Sequence, residues 1–502
     1  MTTPTLDRMR ALSAQLYLDG RFVPSCGATH PVVDPASLAL LGHYAQASSA
    51  EVEQAVAGAC TAQRAWWALS STERADALHA VASRMEALAA GVGECLTREM
   101  GKPYREAHWE AGASASAFRY YAELARHDQG RVAGPAVAGQ WHMSFKEPLG
   151  TVVSIVPYNF PALLFGWQAA AALAAGNAVI VKPSELTSLT LLMLMEAFAD
   201  LPPGLVQLLT GDAAVGAQLV AHAHTHGVAF TGSVRAAQAV AKAAAERFKP
   251  VLSEASGNDP FIVMPSAPVE VVARGAAFAG FLNCGQVCTS AERFYVHEAV
   301  YEPFVQALTR HAQALRLGHG LDAVDMGPLA NERELLRVER VLARAVEQGA
   351  VVRCGNRRPP QLATGWFWEP TVLEVRHDME IMHQEIFGPI APVCKVASLD
   401  EAIRCANDSE FGLGANIYTH DLGEAMRAVA EIESGIVWVN TPLNDNDCVP
   451  FGGRKMTGSG RELGAEGLEQ FRRSKMVMLA PQALADGEWF PYPDSDAFVQ
   501  AR

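Results

Sequence analysis

The feature that most constrains the fold is a stretch from Pro148 to Val181 that contains no charged residue. It is longer than the ~20 residues that a membrane-spanning helix needs. Turn-forming residues interrupt it, however, at Pro157, Asn159, Pro161, Gly176 and Asn177. The segments between them predict a strand at 152–156, a helix at 162–175 and a strand at 178–181. Parallel strands are covered on both faces, so a buried strand–helix–strand unit explains the lack of charge without a membrane.

The same alternation continues along most of the chain. It predicts helices at 188–199, 214–221 and 234–246, and strands at 206–209, 228–230 and 250–252. A second series, which includes a helix at 269–283, begins near residue 261. The first 125 residues instead predict a hairpin near Asp19 and long helices. Short apolar strands that alternate with helices predict an α/β fold with two doubly wound parallel-sheet lobes, divided near residues 255–260.

Charge and cysteine usage narrow the class of protein. The chain has 40 Lys and Arg against 54 Asp and Glu, a net charge of −14, which opposes nucleic-acid binding. The nine cysteines are scattered and form no CxxC pair, so a disulfide scaffold is not expected. The N-terminus carries charges where a secretory signal needs an apolar stretch. We therefore expect a cytoplasmic protein that binds neither nucleic acid nor membrane.

Two strand ends are candidates for nucleotide binding, although the GxGxxG fingerprint is absent. At residues 230–233 a predicted strand meets Gly-Ser at the start of a helix, where free N–H groups and the helix dipole favour a phosphate. The alternative is an ordinary helix cap by Ser233. Lys182 and Glu185 leave another strand end and suit the hydroxyls of a ribose. The alternative there is a solvated loop.

Two further residues suit acyl chemistry. Cys288 follows the turn residue Gly285, and a thiolate at such a loop tip is a strong nucleophile towards a carbonyl carbon. The alternative is a buried, inert cysteine. Glu254 ends a predicted strand, where partial burial raises the pKa of a carboxyl group towards that of a general base. The alternative is a carboxylate that faces water.

These motifs occur together, in one order. They are Pro157-Tyr158-Asn159-Phe160-Pro161, Lys182-Pro183-Ser184-Glu185, Phe230-Thr231-Gly232-Ser233, Glu254, Gly285-Gln286-Val287-Cys288, Glu385-Ile386-Phe387-Gly388-Pro389 and Pro450-Phe451-Gly452-Gly453-Arg454-Lys455. The set closely resembles the aldehyde dehydrogenase superfamily, whose members oxidise aldehydes to carboxylates with NAD(P). The resemblance runs from about residue 16 to residue 480.

The resemblance implies three catalytic residues. Cys288 matches the cysteine that attacks the aldehyde and carries first a thiohemiacetal and then a thioester. Asn159 matches the amide that binds the developing oxyanion together with the backbone N–H of the cysteine. Glu254 matches the base that activates water to hydrolyse the thioester. A CoA-acylating relative is the alternative class, and Glu254 argues against it because that branch usually lacks such a base.

The resemblance also implies a cofactor site. Lys182 and Glu185 match residues that bind the adenosine ribose, and Ser233 matches a pyrophosphate contact. Glu385 and Phe387 match the pair that positions the nicotinamide and its ribose. NAD is favoured over NADP, which stays as the second choice, because the Glu185 carboxylate repels a 2′-phosphate. The other implied cofactor positions are Ile155, Pro157, Tyr158, Ser184, Gly211, Gly216, Phe230, Thr231, Gly232 and Ala255.

Family analogy places seven residues around the tunnel to the nucleophile. They are Phe160, Leu164, Trp167, Leu282, Thr289, Asp445 and Asp447. The largely apolar wall suits an aliphatic or aromatic aldehyde. The acidic loop 444–447 favours a cationic amino-aldehyde instead, unless it is only a solvated loop.

The resemblance further implies a division into domains. We expect an NAD-binding domain of residues 1–125 and 147–256, a catalytic domain of residues 257–456, and an oligomerisation extension of residues 126–146 and 457–485. The extension would join subunits into a homodimer or homotetramer.

Two features lie outside this pattern. The tail 486–502 contains several aromatic residues, which would pack on its own subunit or on a neighbour. The alternating His222, His224 and His226 lack carboxylate or cysteine partners, so they are interpreted as solvated histidines and no metal site is expected.

Overall fold

The computed structural model describes residues 4–127, 130–483 and 489–490. Its helices are α1 (Pro4–Leu12), α2 (Ser49–Ala68), α3 (Ser71–Met100), α4 (Tyr104–Leu124), α5 (Pro161–Ala174), α6 (Ser188–Leu194), α7 (Ala213–Ala221), α8 (Val234–Ala245), α9 (Val269–Phe281), α10 (Tyr301–Gln313), α11 (Glu332–Glu347), α12 (Leu399–Asn407), α13 (Leu422–Glu431) and α14 (Gly464–Glu469). Short 3₁₀ helices span Glu185–Thr187, Met195–Phe198, Leu282–Gly285, Glu298–Val300 and Glu380–Met382. Within these described ranges, no helix is long and apolar enough to cross a membrane.

The strands form two large sheets and several small ones. They are β1 (Gln15–Leu18), β2 (Arg21–Pro24), β3 (Thr29–Val33), β4 (Leu40–Ala45), β5 (Gly130–Ala133), β6 (Trp141–Pro148), β7 (Thr151–Ile155), β8 (Ala178–Lys182), β9 (Val206–Leu208), β10 (Gly227–Thr231), β11 (Val251–Glu254), β12 (Asp259–Val263), β13 (Ala291–His297), β14 (Val351–Cys354), β15 (Thr371–Glu374), β16 (Ile390–Val396), β17 (Phe411–Gly412), β18 (Asn416–Tyr418), β19 (Trp438–Val439), β20 (Arg454–Lys455), β21 (Gly458–Ser459) and β22 (Arg472–Leu479). β1 and β2 form the predicted hairpin, with Asp19 and Gly20 at its turn.

The first lobe is built on a sheet of order β2-β1-β9-β8-β7-β10-β11-β21. Its central strands, from β9 to β11, run parallel. The uncharged stretch forms β7, α5 and β8, and every residue of these three elements is buried. The strand order reverses between β7 and β10, a topology that in open α/β sheets places the ligand-binding crevice at the carboxyl ends of the two strands. These ends are Ile155 and Thr231.

The second lobe has its own sheet and core. Its strand order is β14-β15-β16-β13-β12-β18-β19. All neighbouring strands run parallel except β14, which is antiparallel to β15. The buried apolar side chains of the two lobes form separate clusters. The predicted α/β class with two doubly wound lobes is confirmed.

Three further strands form a small antiparallel sheet. β6 pairs with β5 on one side and with β22 on the other. Residues 457–469, which the sequence assigned to the extension, lie elsewhere: β21 pairs with β11, and α14 contacts α5. Of the tail 486–502, only Trp489 and Phe490 lie among the described residues, so the prediction for the tail falls mainly outside them.

Two predicted helices end earlier than expected. The helix predicted for 188–199 is α6 to Leu194, followed by a 3₁₀ helix to Phe198. The helix predicted for 269–283 ends at Phe281, because Asn283 and Cys284 have left-handed backbone angles. Such angles cannot continue a right-handed helix. The second difference matters for function, since it places a sharp turn just before Cys288.

Candidate active site

Cys288 lies in a loop between α9 and β13 that needs unusual backbone conformations. Residues 283–285 have φ angles of 51°, 58° and 71°, a region that favours glycine. A side chain on Gly285 would overlap the carbonyl group of Gly388. A side chain on Gly257 would likewise overlap the carbonyl oxygen of Cys288. The loop therefore packs directly on the turn that follows β11.

The thiol of Cys288 is half-buried and has carboxyl groups around it. Burial raises its pKa well above the usual range, and the charges of Asp259, Asp445, Glu254 and Glu385 raise it further. The resting group at neutral pH is therefore a thiol. A nucleophilic role requires a base that accepts its proton.

Asn159 is buried in the loop between β7 and α5. Its side-chain amide nitrogen and its backbone carbonyl oxygen both form hydrogen bonds. Its side-chain Nδ2 donates to the carbonyl oxygen of Gln286 at 3.1 Å, two residues before Cys288. Its backbone carbonyl accepts from Asn283 Nδ2 at 3.2 Å and from Lys102 Nζ at 2.5 Å. An amide nitrogen has two N–H groups, so one is left for a substrate oxygen. A remaining amide N–H on a residue that is hydrogen-bonded to the Cys288 loop is the kind of donor that an oxyanion site uses.

Glu254 ends β11 and is 4% exposed. Neither carboxylate oxygen has a hydrogen-bond partner among the described residues. Burial, and then the charge of Glu462, raise its pKa well above the usual range, against smaller opposing effects of Arg461 and the Gly453 backbone. A buried carboxyl group with a raised pKa is, once ionised, a stronger base than an exposed glutamate, which suits a general base. The alternative that Glu254 faces water is wrong.

Glu462 is a second buried carboxyl group in the same region. Gln168 donates to Oε1 of Glu462 at 2.9 Å and to Oγ1 of Thr231 at 3.0 Å, and it accepts from Ser154 Oγ at 2.7 Å. Burial raises the pKa of Glu462 to about 7. Ionised Glu462 in turn disfavours the ionised form of Glu254.

The residues predicted for the adenosine end of the cofactor lie together. Lys182 is buried, and its Nζ donates to the carbonyl oxygens of Pro183 at 2.6 Å and Gly211 at 2.8 Å. A β-carbon on Gly216 would lie 3.4 Å from Lys182 Cδ and 3.5 Å from Ile155 Cδ1. Residues from β7, β8 and α7 thus meet at the crevice between the strand ends.

The loop after β8 completes this end. Glu185 begins a 3₁₀ helix and is half-buried, rather than part of a freely solvated loop. Ser184 caps that helix by accepting from the N–H of Leu186 at 3.3 Å. The charge of Glu185 favours the ionised form of Lys182, whose pKa is lowered by burial.

The segment 230–233 links the cofactor crevice to Glu254. Ser233 caps α8 by accepting from the N–H of Ala236 at 3.4 Å, as the capping alternative states. The N–H of Gly232 donates to the carbonyl oxygen of Glu254 at 3.0 Å. A β-carbon on Gly232 would lie 2.7 Å from the ring of Phe230. The cap and the anion site use the same helix end, so one does not exclude the other.

The residues predicted for the nicotinamide end also come together. Glu385 is half-buried and accepts from the N–H of Gly257 at 3.1 Å. The rings of Tyr158 and Phe387 meet edge to face, with centroids 6.2 Å apart. Ala255 is buried, and its N–H donates to the carbonyl oxygen of Thr457 at 2.6 Å. Pro157, next to Tyr158, is half-buried.

The buried Glu292 holds the backbone of the segment that carries Glu385 and Phe387. It is 2% exposed and accepts from the N–H groups of Ile386 at 2.8 Å and Phe387 at 2.6 Å. Asn258 Nδ2 donates to it at 3.2 Å. Burial and the nearby Glu385 raise the pKa of Glu292 to about 8.

Comparison with known proteins decides the family. Residues 22–477 match the model described as the aldehyde dehydrogenase family. The chain belongs to the aldehyde dehydrogenase family. The predicted family and enzyme class are confirmed.

Similar proteins cover nearly the whole aldehyde dehydrogenase chain. A 3-sulfolactaldehyde dehydrogenase from Pseudomonas putida is 36% identical over 93% of this chain and 97% of its own length. A 3,6-anhydro-L-galactose dehydrogenase in complex with NAP is 37% identical, with a TM-score of 0.90, over 93% of this chain and 100% of that chain. A betaine aldehyde dehydrogenase from Staphylococcus aureus in complex with NAD+ is 29% identical, with a TM-score of 0.93, over 98% of this chain and 99% of that chain.

The apolar residues predicted for the substrate tunnel of this aldehyde dehydrogenase lie on and near α5. Phe160, Leu164 and Trp167 are buried, and Leu282 is half-buried against the same core. The ring of Trp167 lies 5.0 Å from that of Phe451.

The polar residues predicted for the tunnel lie next to Cys288 in the chain and in the loop 444–447. Thr289 is buried and adjacent to Cys288 in the chain. The Asp445 side chain contacts solvent, yet the surrounding protein raises its pKa to about 6, with a further contribution from Asp447. Burial raises the pKa of Tyr120, and the charges of Cys448 and Asp447 raise it further. Residues 444–446 are exposed, as the alternative of a solvated loop states, and the charge of Asp445 contributes to the raised pKa of the Cys288 thiol.

Sequence reasoning missed several buried polar residues of this aldehyde dehydrogenase. They are Lys102, Glu110, Gln168, Glu292 and Glu462. Only one signal was available: Gln168 interrupts an otherwise apolar helix that the sequence predicts to be buried. The others lie in ordinary polar surroundings in the sequence, so burial itself is what distinguishes them.

Proposed function

We propose that the protein oxidises an aldehyde to its carboxylic acid through a thioester on Cys288, with NAD as the hydride acceptor. The convergence of Cys288, Asn159 and Glu254 carries this proposal. Asn159 donates to the loop of Cys288, and Glu254 is close enough to raise the pKa of the thiol. A nucleophile, an oxyanion donor and a buried base are the groups that oxidation with hydrolysis needs.

In the first step, the half-buried Cys288 thiol loses its proton to solvent water, and sulfur forms a bond to the aldehyde carbon. The electron pair of the C=O bond moves to oxygen. The remaining N–H of the Asn159 side chain and the backbone N–H of Cys288 donate to that oxyanion. Hydrogen bonds hold both the side-chain nitrogen and the backbone carbonyl of Asn159, so this donor needs little reorganisation during the reaction.

The residues at the crevice fit a dinucleotide. Gly216 and Gly232 lie where a side chain would press on Lys182 or on the ring of Phe230, and the N-terminus of α8 offers N–H groups to a phosphate. NAD bound there supplies the acceptor for the hydride that leaves the carbon attached to Cys288. Glu385 and the pair Tyr158–Phe387 lie at the end where the reactive ring would be placed.

In the second step, Glu254 removes a proton from water, and the oxygen attacks the thioester carbon. The C–S bond breaks, and the Cys288 sulfur regains a proton as the carboxylate leaves. The raised pKa of Glu254 makes it a stronger base than an exposed glutamate once it is ionised. This base supports hydrolysis over transfer of the acyl group to CoA.

NAD is the preferred cofactor in this proposal, with NADP second. Glu185 places a carboxylate next to Lys182, where it would accept from ribose hydroxyls and repel a 2′-phosphate. The solved relatives include one in complex with NAP and one in complex with NAD+, so both cofactors belong in the test.

The proposed substrate has an aliphatic or aromatic body, because Phe160, Leu164 and Trp167 are apolar. A cationic aldehyde is the second candidate, favoured by the charge of Asp445, which acts on the Cys288 thiol. The names of the relatives support neither choice alone, since they range from 3-sulfolactaldehyde to betaine aldehyde.

We further propose that the first lobe is the NAD-binding domain and the second the catalytic domain, and that the small sheet joins subunits of a cytoplasmic homodimer or homotetramer. The sheet exposes apolar side chains that an isolated subunit would leave in water. They are Trp141 at 60%, Phe145 at 48%, Met476 at 73% and Met478 at 58% exposed. Light scattering of the wild type and of Met476→Lys tests this arrangement.

NADH formation across a panel of aldehydes tests the activity. The panel includes aliphatic, aromatic, cationic and carboxylated aldehydes, each with NAD, with NADP, and with and without CoA. Turnover with NAD and no CoA supports the proposal. Cys288→Ala should lose NADH formation and still bind NAD, whereas strict dependence on CoA would overturn the hydrolytic step.

A further inference from the structure

The start of helix α4 presents three charged residues to the interior beside the active site. Lys102 lies two residues before the helix, and Glu106 and Glu110 lie four residues apart within it, which places the two glutamates on one face. The side chains of Lys102 and Glu110 are both 0% exposed, and Glu106 is half-buried. Charged groups are almost never buried so completely unless they are paired.

Lys102 contacts the segment that carries the proposed oxyanion donor. Its Nζ donates to the carbonyl oxygen of Asn159 at 2.5 Å and to Oε2 of Glu110 at 2.6 Å. The same ammonium group lies 3.7 Å from the ring centroid of Phe160. Lys102 is therefore in contact with two consecutive residues at the end of the loop before α5.

The two glutamates contact the elements on either side of that segment. Oε1 of Glu110 accepts from the N–H groups of Ala162 at 2.9 Å and Leu163 at 3.3 Å, in the first turn of α5. Oε2 of Glu106 accepts from the N–H of Asn283 at 3.1 Å, in the strained turn before Cys288. One helix face thus contacts both the oxyanion segment and the nucleophile loop.

Fold stability alone does not explain why charged residues are buried here. Removing two charges from water is costly, and well-packed apolar residues often stabilise a fold as much as a buried ion pair does. Geometry is a better reason, because a misplacement of about 1 Å between reacting groups lowers rates by about 100-fold. The Asn283 turn has left-handed backbone angles that need support from outside.

We propose that Lys102, Glu106 and Glu110 form a clamp, here called the α4 clamp, that fixes the Asn159 amide relative to the Cys288 loop. This inference rests on the proposed function of Asn159 and Cys288. The three residues act as positioning residues: they contact neither substrate nor cofactor, and they work through Asn159 and Asn283. Glu106 is the link to the nucleophile loop, and Lys102 with Glu110 is the link to the oxyanion segment.

Lys102→Met tests the clamp, with Lys249→Met as the matched control. Lys249 is a buried lysine whose Nζ donates to the carbonyls of Val220 and His222 and to Thr225 Oγ1, away from the carboxyl ends of the strands. Lys102→Met should lower kcat by about 10- to 100-fold and change both KM values less than about 3-fold. Lys249→Met should leave kcat unchanged in the folded enzyme.

A double-mutant cycle with Asn159→Ala separates positioning from a general structural role. If Lys102 works through Asn159, Lys102→Met should cost less than about 3-fold in kcat once Asn159 is alanine. Losses that multiply in the double variant would overturn the inference. If Lys102→Met does not fold, Glu106→Ala takes its place, since Glu106 is only half-buried, and a decrease of about 10-fold in kcat is expected.

Hydrogen exchange tests the clamp without any turnover, so its failure is distinct from failure of the proposed function. Lys102→Met should speed amide exchange by at least about 10-fold in peptides that cover residues 159–163 and 283–288. Lys249→Met should leave both peptides unchanged. Unchanged exchange in Lys102→Met would overturn the clamp even if the wild type oxidises aldehydes.

Discussion

A β-carbon placed on Gly452 would lie 2.5 Å from Oε1 of Glu254. Gly452 also has a φ of 149°, an angle that L side chains rarely adopt. Only glycine therefore leaves room at this point for the buried carboxyl group. This gives a physical reason for a glycine in the segment Pro450–Lys455, far in sequence from the base that it accommodates.

Gly452→Ala should displace the carboxyl group of Glu254 and slow hydrolysis of the thioester. Glu254 acts only in the proposed second step, the hydrolysis of the thioester. The thioester forms in the first step without Glu254, so the first turnover should still release NADH. We expect a burst of about one NADH per active site, followed by a steady rate lowered by about 10- to 1,000-fold. Stopped-flow measurement of NADH separates the two phases.

Gly91→Ala is the control for this change. Gly91 lies within α3, where the nearest atom to an added β-carbon is the Met193 sulfur at 3.7 Å. Alanine should stabilise that helix by about 0.5–1 kcal/mol and leave both kinetic phases unchanged. A Gly452→Ala enzyme with a normal steady rate would show that Glu254 does not need the space.

The pH dependence of turnover should report the raised pKa of Glu254. A general base must be ionised, so kcat should fall as the pH drops through that pKa, well above the usual range for a glutamate. The charge of Glu462 contributes to the raised pKa. Glu462→Gln should therefore move the acid limb of the kcat profile to lower pH. An acid limb that stays in place would contradict this coupling.

The fold could be predicted from the uncharged stretch because the residues that indicate its burial are neighbours in the sequence. The strand–helix–strand interpretation of residues 148–181 depends only on turn residues and the absence of charge, and both are visible in the sequence. The end of α9 was harder. Asn283 is a turn-forming residue but Cys284 is not, and the left-handed turn is supported by Glu106 of α4, which accepts from the N–H of Asn283.

The candidate site was predictable where residues fall at strand ends, and less so where they depend on tertiary packing. Glu254 ends β11 and Ser233 comes two residues after the end of β10, which allowed their placement from the sequence. Lys102 looks like an exposed lysine before a helix, and nothing near it in sequence shows that Glu110 and Asn159 will surround its ammonium group. Its burial is created by parts of the chain that are distant in sequence.

The pair Asp34–His319 should make stability depend on pH. Oδ2 of Asp34 lies 2.9 Å from Nε2 of His319. Burial raises the pKa of Asp34, but His319 and the N–H groups of Ala36 and Ser37 outweigh it, so the net pKa is lowered. The hydrogen bond to Asp34 outweighs burial at His319, whose pKa is raised.

The sign follows from these directions. Asp34 contributes stability above its unfolded pKa of about 4 and loses it as the pH falls through the lower folded value. His319 contributes fully below its unfolded pKa of about 6.5 and loses it as the pH rises through the higher folded value. Both contributions are present between about pH 4 and pH 6.5.

Asp34→Asn should therefore lower the free energy of unfolding by about 1–3 kcal/mol in that window, and by less at higher pH. Denaturant unfolding at several pH values measures the difference. Asp378→Asn is the control, because its partner Arg376 is exposed and such a pair contributes about 0–1 kcal/mol with no histidine involved. A difference for Asp34→Asn that does not change with pH would contradict the histidine contribution.

Asp445→Asn should affect both the nucleophile and the choice of substrate. The charge of Asp445 raises the pKa of the Cys288 thiol, so its removal should increase the thiolate fraction. Alkylation of the Cys288 peptide by iodoacetamide, followed by mass spectrometry, should be about 3- to 10-fold faster.

If Asp445 also attracts a cationic aldehyde, the KM for that substrate should rise about 10-fold in Asp445→Asn relative to a neutral aldehyde of equal size. Asp76→Asn, an exposed change in α3, should alter neither quantity. Faster alkylation with unchanged substrate preference would show that Asp445 acts on the nucleophile alone, and the substrate would then be the neutral aldehyde that the apolar wall favours.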